Sequence, residues 1–394
     1  MKDKTLHKVA IRDDMVAFEN DERFHFCVHN GKVCFTKLDY RGTKSKFWIL
    51  DENGKNQYLL KYENRINDAL SGQFLMCGIL EQIGLPCAEY LVTDFTKDEK
   101  HIDAIMSKNY KKSASEVEIS CFSMNRKKSE RDYDNNMGLE QKHEHNVYHY
   151  VDIIKQLYSK NAINFDKIAL DLKTYALIQY IFVMSDLHYG NLTFIYDEKE
   201  GHKSLRVSDF YDCGNICTLN NAQQKNRNNL ESIKKTKKKS VLIDNLIYKK
   251  MPLFGIKTEM CTIEDKKVRG LNLCKPISAT YSGVDEERVA KEYLEIFRTE
   301  LAHEIMDDPE LCEIYLKIKS SVDVAKVAEE YNSIKEGTIP DYCVELVDEI
   351  SKHNIHQLDK VIRREYASRK NPKTEQNKEE GFRRWLDFTI KKYN

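Results

Sequence analysis

Asp186 stands five residues before Asn191 in the run Asp186-Leu187-His188-Tyr189-Gly190-Asn191, and a second acidic pair, Asp209 and Asp212, follows it. Between them lies Leu192-Thr193-Phe194-Ile195-Tyr196, an apolar run of strand character. One carboxylate, an amide, then a strand, a turn and another carboxylate suits phosphoryl transfer from ATP with Mg²⁺. That reaction needs one group to orient an acceptor hydroxyl and take up its proton, and oxygen ligands for the cation. Asp186 fits the first task and Asn191 the second. Asp and Asn are also ordinary turn residues between a helix and a strand, so the spacing alone leaves both readings open. His188 reads as a structural residue bonded to backbone.

Asp209 and Asp212 compete for the second cation ligand. They are three residues apart, so on a strand they face opposite sides and only one reaches the metal. Gly214, just after Asp212, supplies flexibility where the chain leaves the site, which favours Asp212. Upstream, Lys61 closes the apolar strand Tyr58-Leu59-Leu60-Lys61. It is either a phosphate-binding lysine in a cleft or an edge-strand lysine on a solvated face. Gly42, Thr43, Lys44, Ser45 and Lys46 combine a glycine, two hydroxyls and two lysines. Such a turn can cradle phosphates through backbone N–H groups, although it lacks the pattern of a P-loop and reads equally as a plain polar turn.

Those residues need elements to hold them. Phe24–Val28 and Lys32–Phe35 flank Asn30-Gly31, a strong hairpin signal, and Phe47–Leu50 and Gln57–Tyr62 flank a second turn, Asp51–Gly54. A helix is expected from Ala69 to Ile83, with Asp68 as N-cap, Gly84 as stop and Pro86 beyond. Strands follow at Ala88–Thr93 and His101–Met106. Residues 112–145 read as a polar loop, and helices are expected over 147–160 and 166–184. The Asn-, Gln- and Lys-rich stretch 221–240, with a basic run at 234–239, reads as an exposed, solvated loop. From Asp285 on, the pattern is helical, with Val289, Tyr293, Phe297, Leu301 and Ile305 forming one stripe.

Composition narrows the function classes. The chain has 394 residues, enough for two lobes with sizeable cores. Its 63 basic and 63 acidic residues cancel, which gives no support to direct nucleic-acid binding. A content of 41% hydrophobic and 10% aromatic residues is that of a folded chain. The 11 cysteines are scattered, without metal-site spacing, and suit a reducing cytoplasm. Met1–Asp14 lacks the apolar segment of a secretory signal, and the longest apolar stretch, Tyr175–Met184, is too short to span a bilayer. It reads as a buried helix, so no membrane association is expected.

Together these residues resemble the HipA-like serine/threonine kinases. Gly42–Phe47 resembles that family's phosphate-covering loop, and Lys61 falls at its nucleotide lysine. Ile79–Tyr90 is similar to its helix ending in Leu-Gly-(Ile/Leu)-Pro and the strand beyond. Asp186–Asn191 matches its Asp-x-His-x-x-Asn catalytic loop, and Phe210-Tyr211-Asp212-Cys213-Gly214 its second metal motif, which again selects Asp212. Two positions depart from the pattern. Met184 stands where the family has Asn, and Gln73 where a helix Glu pairs with the lysine; Gln73 can hydrogen-bond Lys61 without neutralising it.

The resemblance implies an α+β, bilobal protein-kinase-like fold. A small antiparallel β-rich N-lobe with one helix spans 1–107, and a larger helical C-lobe spans 108–394. ATP and Mg²⁺ are the implied cofactors. Lys61 and the Gly42–Lys46 loop take the phosphates, with Gln73 beside the lysine. Backbone of the hinge near Met106 and Lys108 takes adenine, Asn191 and Asp212 take the metal, and Asp186 addresses the acceptor. The implied partners are a protein substrate with a Ser or Thr acceptor and a cognate regulator or antitoxin. Two alternatives remain. The aminoglycoside and choline phosphotransferases share the fold and would use Asp209. A nucleotide-binding pseudokinase would lack turnover.

Overall fold

The structure is a computed structural model and describes residues 6–11, 24–29, 32–37, 45–50, 57–62, 68–97, 99–113, 115–120, 147–184, 192–250 and 286–369. Asp186, Asn191, Gly42, Thr43 and Lys44 lie outside these residues. Seven strands, β1 (His7–Ile11), β2 (Phe24–His29), β3 (Lys32–Lys37), β4 (Ser45–Leu50), β5 (Gln57–Tyr62), β6 (Tyr90–Lys97) and β7 (Lys100–Lys108), form one sheet in the order β3-β2-β1-β6-β7-β5-β4. The two expected hairpins are present as the antiparallel pairs β2/β3 and β4/β5. The sequence reading lacked β1, which pairs parallel with β6 and so joins the hairpin β2/β3 to the rest of the sheet.

Helix α1 (Ala69–Gln82) lies between β5 and β6 in the chain and is buried along Ala69–Leu80. A helix buried all round must be gripped from several sides. Gly84, at φ +76°, provides the left-handed turn that ends it. Asp68 occupies the N-cap position but its side chain does not cap. Its carboxylate, fully buried, instead accepts from Asn226 Nδ2 (2.8 Å) and from the Tyr342 hydroxyl (2.7 Å). Those two bonds compensate the desolvation that a buried carboxylate suffers.

The helical part comprises α2 (Val147–Tyr158), α3 (Phe165–Phe182), α4 (Gln223–Lys235), α5 (Lys239–Lys250), α6 (Glu286–Asp307), α7 (Pro309–Ser321), α8 (Val324–Asn332) and α9 (Asp341–Arg369). A small sheet, β10-β9-β8, is built from β8 (Glu116–Ser120), β9 (Thr193–Asp197) and β10 (Arg206–Val207). Two expectations are corrected. Residues 221–240 are not a loop: α4 buries Asn226, Leu230 and Ile233, and α5 buries Ile243 and Ile247. The basic run within them is paired internally, Lys234 with Glu345, Lys235 with Glu231 and Lys239 with Glu349. The polar stretch after Lys112 contains strand β8.

Helix α3 delivers the chain to Met184, immediately before the Asp186 loop. Its buried end leaves four carbonyls without intrahelical donors, and all four are satisfied. Gln179 O accepts from the backbone of Val183 and Met184. Asn354 Nδ2, on α9, donates to Tyr180 O (2.9 Å) and Ile181 O (3.0 Å). Cys217 N donates to Phe182 O (2.9 Å). Val183, at φ 48°, then turns the chain out of the helix. Nearby, Arg298 bonds the Tyr180 hydroxyl (2.6 Å) and Asp244, tying α6 to α3 and α5. Replacing Asn354 by Ala strands two buried carbonyls, and urea unfolding should show a loss of about 2 kcal/mol or more.

Candidate active site

The Asp212 segment is suspended by aromatic side chains. The Tyr175 hydroxyl donates to Ser208 O (2.9 Å), and the Tyr175 ring stacks on Phe210 with centroids 3.8 Å apart. Phe210 bridges to Cys87: its N–H donates to Pro86 O (3.1 Å) and its carbonyl accepts from Ala88 N (2.8 Å). The Leu-Pro turn after α1 therefore holds the acidic segment by backbone. Tyr211 stacks on Tyr110, centroids 4.8 Å apart. Asp212 itself is left-handed, at φ 51°, an uncommon conformation for a non-glycine residue. Its N–H is held by the Tyr90 hydroxyl at 2.9 Å. Burial foremost, with Cys213 and Asp212 adding to it, raises the Tyr90 pKa well above its usual value, so this hydroxyl stays neutral.

Lys61 reaches this segment from β5. Leu60 is fully buried, and the next residue, Lys61, directs Nζ to Asp212 Oδ1 at 2.7 Å. Gln73 donates its Nε2 to the same oxygen at 3.0 Å. In place of the expected Gln73–Lys61 contact, the amide and the ammonium share one acceptor, both donating to Asp212 Oδ1. Among the described residues, Gln73 Oε1 is buried with no hydrogen-bond partner. The Asp212 side chain keeps 34% of its surface exposed. Net of solvent screening, such an ion pair contributes on the order of 1 kcal/mol or less, so it positions charges more than it stabilises the fold.

What seats Gln73 and Asp212 together is a glycine contact. A Cβ on Gly72 would lie 2.1 Å from Gly214 O, and one on Gly214 would lie 2.4 Å from Ala69 O. Gly214, expected to supply flexibility where the chain leaves the site, serves close approach, and the left-handed residue of the segment is Asp212. The sequence reading missed Gly72, Tyr90 and Tyr175. Gly72 carried a signal, since a glycine inside an apolar helix costs about 1 kcal/mol and implies a close neighbour.

The other expected residues fall as follows. Asp209 pairs with Arg206 at 3.1 Å, and Arg206 also pairs with Glu116. Lys46 lies opposite Lys61 in the β4/β5 register, and Ser45 opposite Tyr62. Met106 is fully buried in β7, in register with both Leu60 and Leu91, so its backbone groups are used within the sheet. Lys108 ends β7, and its N–H donates to Glu89 O at 2.8 Å.

No protein-family model matches the sequence, and no curated protein matches it as a relative. The structure, however, is similar to the crystal structure of the Helicobacter pylori proinflammatory kinase CtkA. The likeness covers 83% of this chain and 94% of that chain, with a TM-score of 0.52 and 12% identity. The fold is kinase-like. HipA of Shewanella oneidensis, solved with HipB and operator DNA, aligns over 82% of this chain and 67% of that chain, with TM-score 0.42 and 13% identity. The likeness to the CtkA structure, with the two sheets and the helical part, makes the molecule a bilobal α+β protein. Among the described residues, no helix is long and apolar enough to cross a membrane.

The glycine contact can be tested against a control. Gly78 also lies in α1, but its added Cβ would meet the Val327 side chain at 2.4 Å. Gly78→Ala should be relieved by Val327→Ala in a double-mutant cycle. Gly72→Ala and Gly214→Ala press on backbone. Each should cost about 1–3 kcal/mol in urea unfolding, and no side-chain truncation nearby should restore it.

Proposed function

We propose that this chain is an ATP- and Mg²⁺-dependent phosphotransferase, a HipA-like protein kinase acting on a Ser or Thr hydroxyl. The observation that carries this reading is the meeting of Lys61 and Asp212, 151 residues apart in sequence, at 2.7 Å. The donor set fits the cofactors. Asp212 offers a partly exposed carboxylate for a hard cation, and Lys61 offers an ammonium for phosphate oxygens.

In this reading Asp212 and Asn191 hold Mg²⁺, which supplies charge neutralisation across the phosphates when bound. Lys61 leaves Asp212 to bind the α- and β-phosphates, and the Gly42–Lys46 loop covers them. Gln73 keeps Asp212 oriented through its amide as the lysine moves. Asp186 orients the acceptor hydroxyl and takes its proton late in transfer. The lobes divide at 107/108, with adenine against the backbone after Lys108. The acceptor is a protein, a cognate regulator controls the enzyme, and the site of action is cytoplasmic. The pairing of Asp209 with Arg206 argues against the small-molecule phosphotransferase assignment, in which Asp209 is the metal ligand.

Titration calorimetry with ATP and Mg²⁺, together with a labelled-phosphate transfer assay, tests this. At a hundred times Kd, the nucleotide should stabilise the fold by about 2.7 kcal/mol. Asp212→Asn should abolish Mg²⁺-dependent transfer, while Asp209→Asn retains much of it. Asp186→Asn should bind ATP near normally and turn over none. Absence of ATP binding overturns the proposal. Essential Asp209 with dispensable Asp212 moves the protein to the small-molecule enzymes. Wild-type binding without turnover makes it a pseudokinase.

A further inference from the structure

Beside the acidic segment, two thiols face each other. Cys77 on α1 and Cys87 after the Leu-Pro turn bring their Sγ atoms to 3.6 Å, about van der Waals contact. A disulfide needs about 2.05 Å, within the reach of small side-chain rotations when the sulfurs already touch. The backbone holds both: Cys77 Sγ donates to Ala88 O at 3.5 Å and Cys87 Sγ to Cys77 O at 3.7 Å. Their exposures differ. Cys77 is 1% exposed, whereas Cys87 is half-buried. The Tyr331 ring packs at a tilt on Phe74, one helical turn before Cys77, with centroids 4.8 Å apart.

We propose that Cys77 and Cys87 are a peroxide-responsive pair that closes to a reversible disulfide. The Cys87 thiolate attacks one oxygen of hydrogen peroxide, breaking the O–O bond; hydroxide leaves and Cys87 becomes a sulfenic acid. The Cys77 sulfur then attacks the Cys87 sulfur, the S–O bond breaks, and water leaves with the Cys77 proton. Two thiols are oxidised and one peroxide is reduced to two waters. Cys213 does not compete as the resolving thiol. Its Sγ donates to Tyr211 O at 3.3 Å, whereas the Cys77 and Cys87 sulfurs already touch.

The bond would join the two segments that meet at Asp212. Cys77 lies one helical turn beyond Gln73, and Cys87 bridges to Phe210, two residues before Asp212. The inference concerns the thiols alone and holds whether or not the chain transfers phosphate. Full-length reduced protein should be treated with hydrogen peroxide and mapped by mass spectrometry without reductant. The expected product is one cross-linked peptide pair containing Cys77 and Cys87, lighter by two hydrogens and restored by dithiothreitol. In Cys77→Ser or Cys77→Ala, Cys87 should stop at a sulfenic acid that dimedone traps. In Cys87→Ser, Cys77 should remain a thiol at the same peroxide dose. Cross-linking of Cys87 to any other cysteine overturns the proposal. So does direct passage of wild-type Cys87 to sulfinic acid, or a Cys87 that stays unmodified while other thiols react.

Discussion

The site depends on one close approach of backbone to backbone, between Gly72 in α1 and Gly214 in the segment after Asp212. Neither position has room for a Cβ. Because both are glycine, the chain carrying Asp212 lies directly on the helix, and Gln73, the next helical residue, meets the carboxylate at 3.0 Å. Set one methyl further away, the segment would leave that amide without its acceptor. The Lys61 contact would lengthen with it, since β5 is fixed by its pairing with β4 and β7. The magnitudes point the same way. The ion pair is worth on the order of 1 kcal/mol, less than the cost of overpacking a tight contact, about 1–3 kcal/mol. Packing therefore decides where the charges sit, and the charges do not hold the packing.

Helix α1 is the common platform. Its first turn is tied to the helical part by Asp68, its second carries Gly72 and Gln73, its third carries Cys77, and its end runs into the Leu-Pro turn that grips Phe210. Its all-round burial follows from these demands, because every face meets a different partner. The end of the long apolar helix α3 is fixed in the same way, just before the sequence position of Asp186. With all four terminal carbonyls satisfied, its end is a fixed point from which the chain departs.

Much of this was legible in the sequence, where a local signal coincided with the tertiary role. The Asn30-Gly31 hairpin, the α1 boundaries with Gly84 and the apolar run Tyr175–Met184 each carry their own turn chemistry or periodicity. Helix α4 was hidden because one member of its buried stripe is polar. Asn226 precedes Leu230 and Ile233 on the same face and is buried because it bonds Asp68, 158 residues away. No window of sequence contains that partner. The Gln73 contact was misjudged for a similar reason, since pairing an amide with a lysine ignores which of its atoms a nearby carboxylate claims. Gly214 was read for freedom when its requirement is space, and only the neighbouring helix shows the difference.

Asp68 shows how the two parts of the molecule are coupled. A fully buried carboxylate is costly unless hydrogen-bonded, and its partners here, Asn226 and Tyr342, lie on α4 and α9. Burial, and then the bond to Asp68, raise the Tyr342 pKa above its usual value, so the hydroxyl remains a donor to the carboxylate. Arg227 lies over the Tyr342 ring at 3.8 Å and adds a cation to the same cluster. The backbone contributes as well, because Asp68 N donates to Leu219 O at 2.9 Å. A rotation of α1 relative to the helical part must therefore break several of these bonds together or none. Gln73 sits little more than one turn from that anchor, so its amide has small freedom to leave Asp212. With β5 fixed by its pairing with β4 and β7 and α1 fixed by the Asp68 cluster, any separation of Lys61 from Asp212 falls to the long lysine side chain.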